Sequence, residues 1–341
     1  MGTEACGQAL AERADKLRAR RPIVGADLPR RLALAAERRY LVPAVMLILF
    51  PSEPFSPHRV DPDFEHERAA ARDAGLATAL VDHTRVLKGA VDEAVAHVPE
   101  GVGAALYRGW MLTPVQYRAM FDALAARGLQ LVTTPESYRA CHYLPDSYPF
   151  IKDRTPRSVW LRVQGAPDFD EILKTLGQFG HSALVVKDYV KSQKHYWNDA
   201  CFIPAADDAA TVRRVVERFL ELQGEDLNEG LVFREFVPLR IVGSHPKSGM
   251  PLAAEFRTFW FRSELILAHR YWGDLTTFDT DLPLSALQSL ASGIPSPFFT
   301  MDVAFRENGD WIVVELGDGQ VAGLPAPHLA SEFFRRIAAL L

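Results

Sequence analysis

The chain has 341 residues, 48% of them hydrophobic and 24% charged, with 38 Lys and Arg against 43 Asp and Glu and a net charge of −5. This composition argues against a largely disordered chain and provides enough apolar surface for about two domains. It lacks the global basic field that non-specific nucleic-acid binding needs. Cys6, Cys141 and Cys201 are scattered and form no C-x-x-C, which argues against a disulfide scaffold or a cysteine zinc site and favours a reducing, cytoplasmic setting.

Residues 1–40 read as a charged helical segment rich in arginine, either a solvated amphipathic pair or a partner surface. The apolar run Leu41 to Phe50 carries Pro43 and is too short to span a bilayer, so no membrane partner is expected and the run reads as a buried strand. An alternating β/α pattern follows. The strands are Val45–Phe50, Ala77–Val81, Gly103–Tyr107 and Leu129–Val132. The helices are Pro62–Ala74, Val86–His97 and Pro114–Arg127, the last with proline at its start and Gly128 just past its end. Alternation of this kind predicts a parallel sheet covered by helices, with ligands beyond the carboxyl ends of the strands. Arg108 and Trp110 stand at such an end.

Past residue 145 the pattern becomes α+β. Helices at Asp170–Leu176 and Asp208–Leu222 frame a strand at Ala183–Lys187. Longer β runs follow at Leu231–Val237, Glu255–Phe261, Leu265–Trp272, Phe299–Phe305 and Trp311–Leu316. The expected organisation is a helical segment over 1–40, an α/β domain over 41–144 and an α+β domain over 145–341. A P-loop, a G-x-S-x-G elbow, a complete dinucleotide fingerprint and H-x-x-x-H spacing are all missing from the sequence.

The densest local chemistry is in residues 299–318. Asn308-Gly309 is the dipeptide favoured in a two-residue type I′ hairpin. That turn places Asp302 opposite Glu315, with Met301, Val303 and Phe305 facing Ile312, Val314 and Leu316 on an apolar face. Directly opposed Cβ atoms are roughly 4.5–5.5 Å apart, so two carboxylates there need a shared proton or a bridging cation, and hard oxygen ligands suit Mg²⁺. The plainer reading is a solvent-facing hairpin with two unrelated acids. Lys187 ends a strand and is followed by Lys191 and Lys194. These lysines can hold a polyphosphate, or equally form a solvated helix face. Glu255 and Arg257 share one face of their strand, as a surface ion pair would.

Taken in order, Val-Val-Lys-Asp-Tyr-Val-Lys-Ser, Val-Phe-Arg-Glu-Phe-Val, Glu-Phe-Arg-Thr-Phe and the pair Met-Asp-Val-Ala-Phe with Val-Val-Glu-Leu-Gly-Asp-Gly-Gln resemble the motifs of the ATP-grasp superfamily. They are most similar to those of the clade with one arginine and two signature lysines, which is related to the eukaryotic translation-initiation-factor assembly proteins. The resemblance spans residues from about 44 to 330. It implies an α/β N-terminal domain followed by an α+β ATP-grasp fold whose two subdomains clamp ATP, with Mg²⁺ as cofactor. By resemblance Lys187 and Lys191 contact phosphate, and Glu235, Phe236 and Val237 form the hinge against adenine. Arg257 is the phosphate arginine, and Asp302 and Glu315 are the metal ligands. Relatives carry Asn where this chain has Gly317. A bulge at Gly317 would turn Asp318 onto the metal face as the third ligand.

The resemblance further implies a ligase that activates a carboxylate as an acyl phosphate for attack by an amine or thiol. Its substrates would be small-molecule or peptide carboxylates and amines, and Arg108 and Trp110 would hold the acid. An ATP-binding assembly protein without turnover, with a protein partner, and an ATP-grasp phosphotransferase are the other readings.

Overall fold

In the computed structural model the described residues are 46–341, apart from 102 and 247–249. They all belong to one unit, Tyr40–Leu341. The expected segment 1–40 lies outside the described residues.

The first sheet is built as the alternation predicts. Strand β1 (Met46–Glu53) pairs in parallel with β3 (Ala77–Val81) and β4 (Gly103–Tyr107), and β4 pairs in parallel with β5 (Leu129–Leu131). A strand the sequence reading did not anticipate, β2 (Ser56–Val60), folds back antiparallel on the end of β1. Helices α1 (Glu65–Asp73) and α4 (Pro114–Ala126) connect the strands, and α4 starts with a capping box between Thr113 and Gln116. The helix expected over Val86–His97 is instead two short pieces, α2 (His83–Leu87) and α3 (Val91–Ala94). Gly89, at φ +77°, breaks it, because a left-handed residue cannot continue a right-handed helix. Two further helices, α5 (Pro135–His142) and α6 (Leu144–Ile151), lead out of this region.

The second sheet is antiparallel, in the order β6 (Ser158–Arg162), β9 (Gly230–Glu235), β7 (Leu184–Asp188), β8 (Phe202–Ile203). Helices α7 (Phe169–Leu176) and α8 (Ala209–Gln223) cover one of its faces, burying Ile172, Leu176, Val212, Val216 and Phe219 with Leu184, Val186 and Phe233. A small ribbon of β10 (Ile241–Ser244) and β11 (Pro251–Ala253) precedes the third sheet. That sheet is antiparallel, in the order β13 (Glu264–Arg270), β12 (Glu255–Phe261), β14 (Phe298–Phe305), β15 (Trp311–Asp318). Helices α9 (Leu284–Ala291) and α10 (Ala330–Ala339) follow β13 and β15 respectively. Phe259, Phe261, Phe298 and Phe333 share one core with Ile48, Phe50 and Leu106 of the first sheet, so the first and third sheets are held by common apolar burial.

The β14–β15 hairpin corrects the expected turn. The N–H of Arg306 donates to the Asp310 carbonyl at 2.8 Å, closing a three-residue loop with Gly309 at φ +85° in place of a two-residue one. This moves the register by one. A bulge at Val314, between the Asp302↔Glu315 and Val303↔Val313 pairs, moves it back. Asp302 therefore does stand opposite Glu315. The apolar face between turn and bulge is Trp311 and Val313, not Ile312 and Val314.

Candidate functional site

The second and third sheets meet at a cavity of about 270 Å³ whose walls include Lys187 of β7, Arg257 of β12, Asp302 of β14 and Glu315 of β15. Antiparallel register places Arg257 directly against Asp302, and Asp302 directly against Glu315. Arg257 grips Asp302 with a two-point fork, Nε to Oδ1 at 2.9 Å and Nη2 to Oδ2 at 2.7 Å, and its guanidinium lies 4.5 Å from the Tyr271 ring centroid. Lys187 comes from the other sheet and donates to Glu315 Oε2 at 3.0 Å. Two ion pairs thus lie side by side, one of them tying the two sheets together.

Burial alone would raise the Glu315 carboxyl, but Lys187, then Arg257 and Arg234, outweigh it and hold it down at about 2. Burial and the neighbouring Glu315 push Asp302 up, and the Arg257 fork opposes them. Glu255 belongs to the same cluster. The sequence reads it as part of a surface ion pair, but it is buried, and burial, then Asp302 and Glu315, push its carboxyl up to about 8. Lys191 lines the cavity and is exposed. Its loop is pinned by the fully buried Asp188, whose Oδ1 accepts from the Val190 and Lys191 N–H groups. Asp188 Oδ2 accepts from Gln223 and from Asn228.

Other sequence-derived site residues fall elsewhere. Arg108 is a correction: it is 1% exposed and holds no open face to a substrate. Its Nε and Nη2 fork Glu67 at 2.9 and 2.8 Å, and Nη1 donates to the carbonyls of Gly319 and Ala322 at 2.6 and 2.8 Å. Trp110 is not among the cavity walls. Its indole N–H donates to Asp61 at 2.9 Å and its ring meets Phe64 edge-on. Glu235, Phe236 and Val237 line a separate hollow beyond the end of β9. The N–H groups of Glu235 and Phe236 are already given to the carbonyls of Arg157 and Ala183.

The bulge expected at Gly317 is absent, and pairing runs in register through Thr300↔Gly317 and Phe299↔Asp318. Asp318 therefore belongs to the strand face opposite Asp302 and Glu315. It is fully buried, with Oδ1 accepting from the backbone and side-chain N–H groups of Gln320. A side chain at Gly317 would begin 2.5 Å from the Thr300 hydroxyl, so Thr300 occupies the space an asparagine there would need.

The residues present fit a magnesium nucleotide. Among the described residues no three His, Cys, Asp or Glu side chains gather closely enough to hold a metal alone. Mg²⁺ commonly takes only one or two carboxylates and completes its shell with phosphate oxygens and water, which is what Asp302 and Glu315 offer beside three cations.

The fold is an α/β domain followed by an α+β ATP-grasp fold. Residues 175–339, just under half of the chain, match the family model for the ATP-grasp domain, family 3 of the clade named for one arginine and two lysines. The fold is similar over 86% of this chain to D-cycloserine synthetase DcsG (17% identity, 99% of that chain, TM-score 0.55). It is also similar over 86% to a RimK domain protein ATP-grasp from Sphaerobacter thermophilus DSM 20745 (14%, 98%, 0.54) and to D-alanine–D-alanine ligase from Bacillus anthracis (12%, 96%, 0.51). At these identities the likeness is one of fold. No curated protein matches the chain. Among the described residues no helix is long and apolar enough to cross a membrane.

His142 is a site residue that sequence reasoning missed. It ends α5, lines the cavity and faces Glu315, Lys187 and Lys191. A lone histidine far from every motif carries no sequence signal. Only the packing of α5 against β15 brings it here.

Proposed function

We propose that this protein uses Mg-ATP to activate a carboxylate as an acyl phosphate, which an amine or thiol then attacks. The observation that carries the reading is the pairing of Lys187 with Glu315 beside Arg257 with Asp302, two cations and two carboxylates drawn from two sheets onto one cavity. Asp302 and Glu315 would hold the magnesium ion, which supplies neutralisation of phosphate charge when bound. Lys187, Lys191 and Arg257 would bind and orient the phosphates, offsetting negative charge on the transferring group by position. The segment Glu235, Phe236 and Val237, the adenine hinge by resemblance, lines a separate hollow and is not assigned to the nucleotide. The similarity of fold to two proteins named as a synthetase and a ligase supports a ligase over a phosphotransferase.

The reaction releases ADP and phosphate, not AMP and pyrophosphate. The test is incubation with Mg-ATP, a panel of carboxylic acids and hydroxylamine. A hydroxamate appearing with ADP supports the acyl phosphate. Pyrophosphate release contradicts it.

A further inference from the structure

With Arg108 excluded, the acceptor side of the cavity has to be built from other residues. Its walls there include the apolar Met111, Leu144 and Val190, and its nitrogen groups beyond the two ion pairs are Lys191 and His142, with Tyr189, Tyr271, Thr300 and Asp318 as the other polar lining. His142 is held from both sides, its ring centroid 5.1 Å from Tyr138 and 5.8 Å from Tyr143. Tyr138 is itself fixed, stacked on Tyr117 at 4.2 Å and donating its hydroxyl to the Leu112 carbonyl at 2.7 Å. Among the described residues nothing hydrogen-bonds the ring nitrogens of His142, so a positioned imidazole faces the cavity with both nitrogens open.

An amine that attacks an acyl phosphate must lose a proton, and the cavity offers few acceptors. Asp302 and Glu315 are committed to Arg257 and Lys187. Asp318 also lines the cavity, but it is fully buried whereas His142 is partly exposed, and its Oδ1 takes both Gln320 N–H groups. Tyr271 is pushed up by burial and holds its proton. Glu255, pushed up to about 8, holds its proton at neutral pH as well.

We propose that His142 is the catalytic base that receives the proton of the attacking amine, an inference that rests on the acyl-phosphate reading. The amine nitrogen bonds to the acyl carbon as the carbon–oxygen bond to phosphate breaks, and the electron pair of that bond leaves with phosphate. The nitrogen passes one proton to the open ring nitrogen of His142, and the imidazolium returns it to water. Burial pushes this imidazole down to about 4. Lys187 from β7 and Lys191 from the loop after it act in the same direction, and Glu315 from β15 opposes them. The ring is therefore in its base form at neutral pH. Phosphates drawn to Lys187 and Lys191 would relieve their effect and raise its basicity during turnover.

Hydroxylamine and alkyl amines separate this role from a structural one. Hydroxylamine is a strong nucleophile that captures acyl phosphates without a base, whereas an alkyl amine, attacking in its neutral form after giving its first proton to water, needs the second proton taken up as the new bond forms. The full chain is incubated with Mg-ATP and the standard amino acids, offered as acids with hydroxylamine and as acids with one another as amines. His142→Asn and His142→Gln are expected to keep hydroxamate formation near wild type and to lose amine ligation by about 10²–10⁴-fold. Free imidazole should restore part of the ligation in His142→Ala. Parallel loss of both products, or ligation equal to wild type, overturns the assignment. Failure of the wild-type chain to form any hydroxamate overturns the acyl-phosphate reading itself, and this inference with it.

Discussion

Arg108 and Arg257 each grip a carboxylate with a two-point fork, yet the two pairs have different work to do. Arg108 holds Glu67 and, with its remaining nitrogen, two carbonyls of the loop after β15 at 2.6 and 2.8 Å. It joins the first sheet to the chain leaving the third, and both members of the pair are buried. Arg257 holds Asp302 on a cavity wall, and its one further bond, to the Gly323 carbonyl, is long at 3.3 Å. Beside it Lys187 pairs with Glu315, whose side chain is 36% exposed. A buried cation whose three nitrogens are all bonded within the protein holds a fold together. A cation paired only with carboxylates that also face a cavity can exchange partners when phosphates and a metal arrive.

The sharpest way to break this contrast is to remove Arg108. Arg108→Met leaves the Glu67 carboxylate buried without its partner and should cost about 3–5 kcal/mol in denaturant unfolding. Nucleotide affinity of the folded fraction should stay unchanged. Loss of affinity at unchanged stability would return Arg108 to the substrate. The matching change in the cavity has the opposite profile. Lys187→Ala should cost about 1.5–3 kcal/mol of nucleotide binding, roughly 10- to 150-fold in Kd. Lys187→Arg should restore it only partly, since a planar fork is not a point charge.

Trp110→Phe sharpens the contrast from outside the cavity. It gives up the bond to Asp61 and keeps an aromatic ring against Phe64, so about 0.5–1.5 kcal/mol of stability is expected to go. Turnover should not change.

The smallest effect concerns Asp318, whose carboxyl is pushed up to about 7 by burial, only partly offset by the Gln320 N–H groups. A carboxyl raised in the folded state keeps its proton while the unfolded chain loses it. Wild-type stability should therefore fall as pH rises from the ordinary carboxylate value near 4 to about 7, and level off above that. Asp318→Asn should lack this decline and gain on wild type as pH rises. The Mg²⁺ requirement of nucleotide binding should be the same in both, because Asp318 belongs to the face of β15 opposite Asp302 and Glu315. A several-fold rise in that requirement would restore it as a ligand.

The parts of this molecule that were legible in its sequence are those set by local periodicity. The strands of the parallel sheet, the capped helix α4 and the β runs of the third sheet all announce themselves by alternation and by Pro and Gly placement. The pairing of Asp302 with Glu315 was also legible, though by an instructive route. A three-residue turn and a bulge at Val314 shift the register in opposite directions, and the expected pair survives because the two shifts cancel. What was not legible depends on distant partners. Nothing near Arg108 announces Glu67 or the carbonyls of Gly319 and Ala322. Nothing near Glu255 announces that its strand face is buried against two other acids. His142 reaches the cavity only because α5 packs on β15. The missing asparagine at Gly317 likewise makes sense only once Thr300 is seen across the ribbon.

The central claim is that the two ion pairs on the cavity wall are exchangeable partners for a magnesium nucleotide. Its most direct test is calorimetric titration of the full chain with the non-hydrolysable ATP analogue AMPPNP at saturating Mg²⁺, in wild type and in Lys187→Ala. Saturable binding in the micromolar to millimolar range, weakened by the substitution, is the expected result. No heat and no thermal shift in the wild type, or equal affinity in both proteins, would contradict the account.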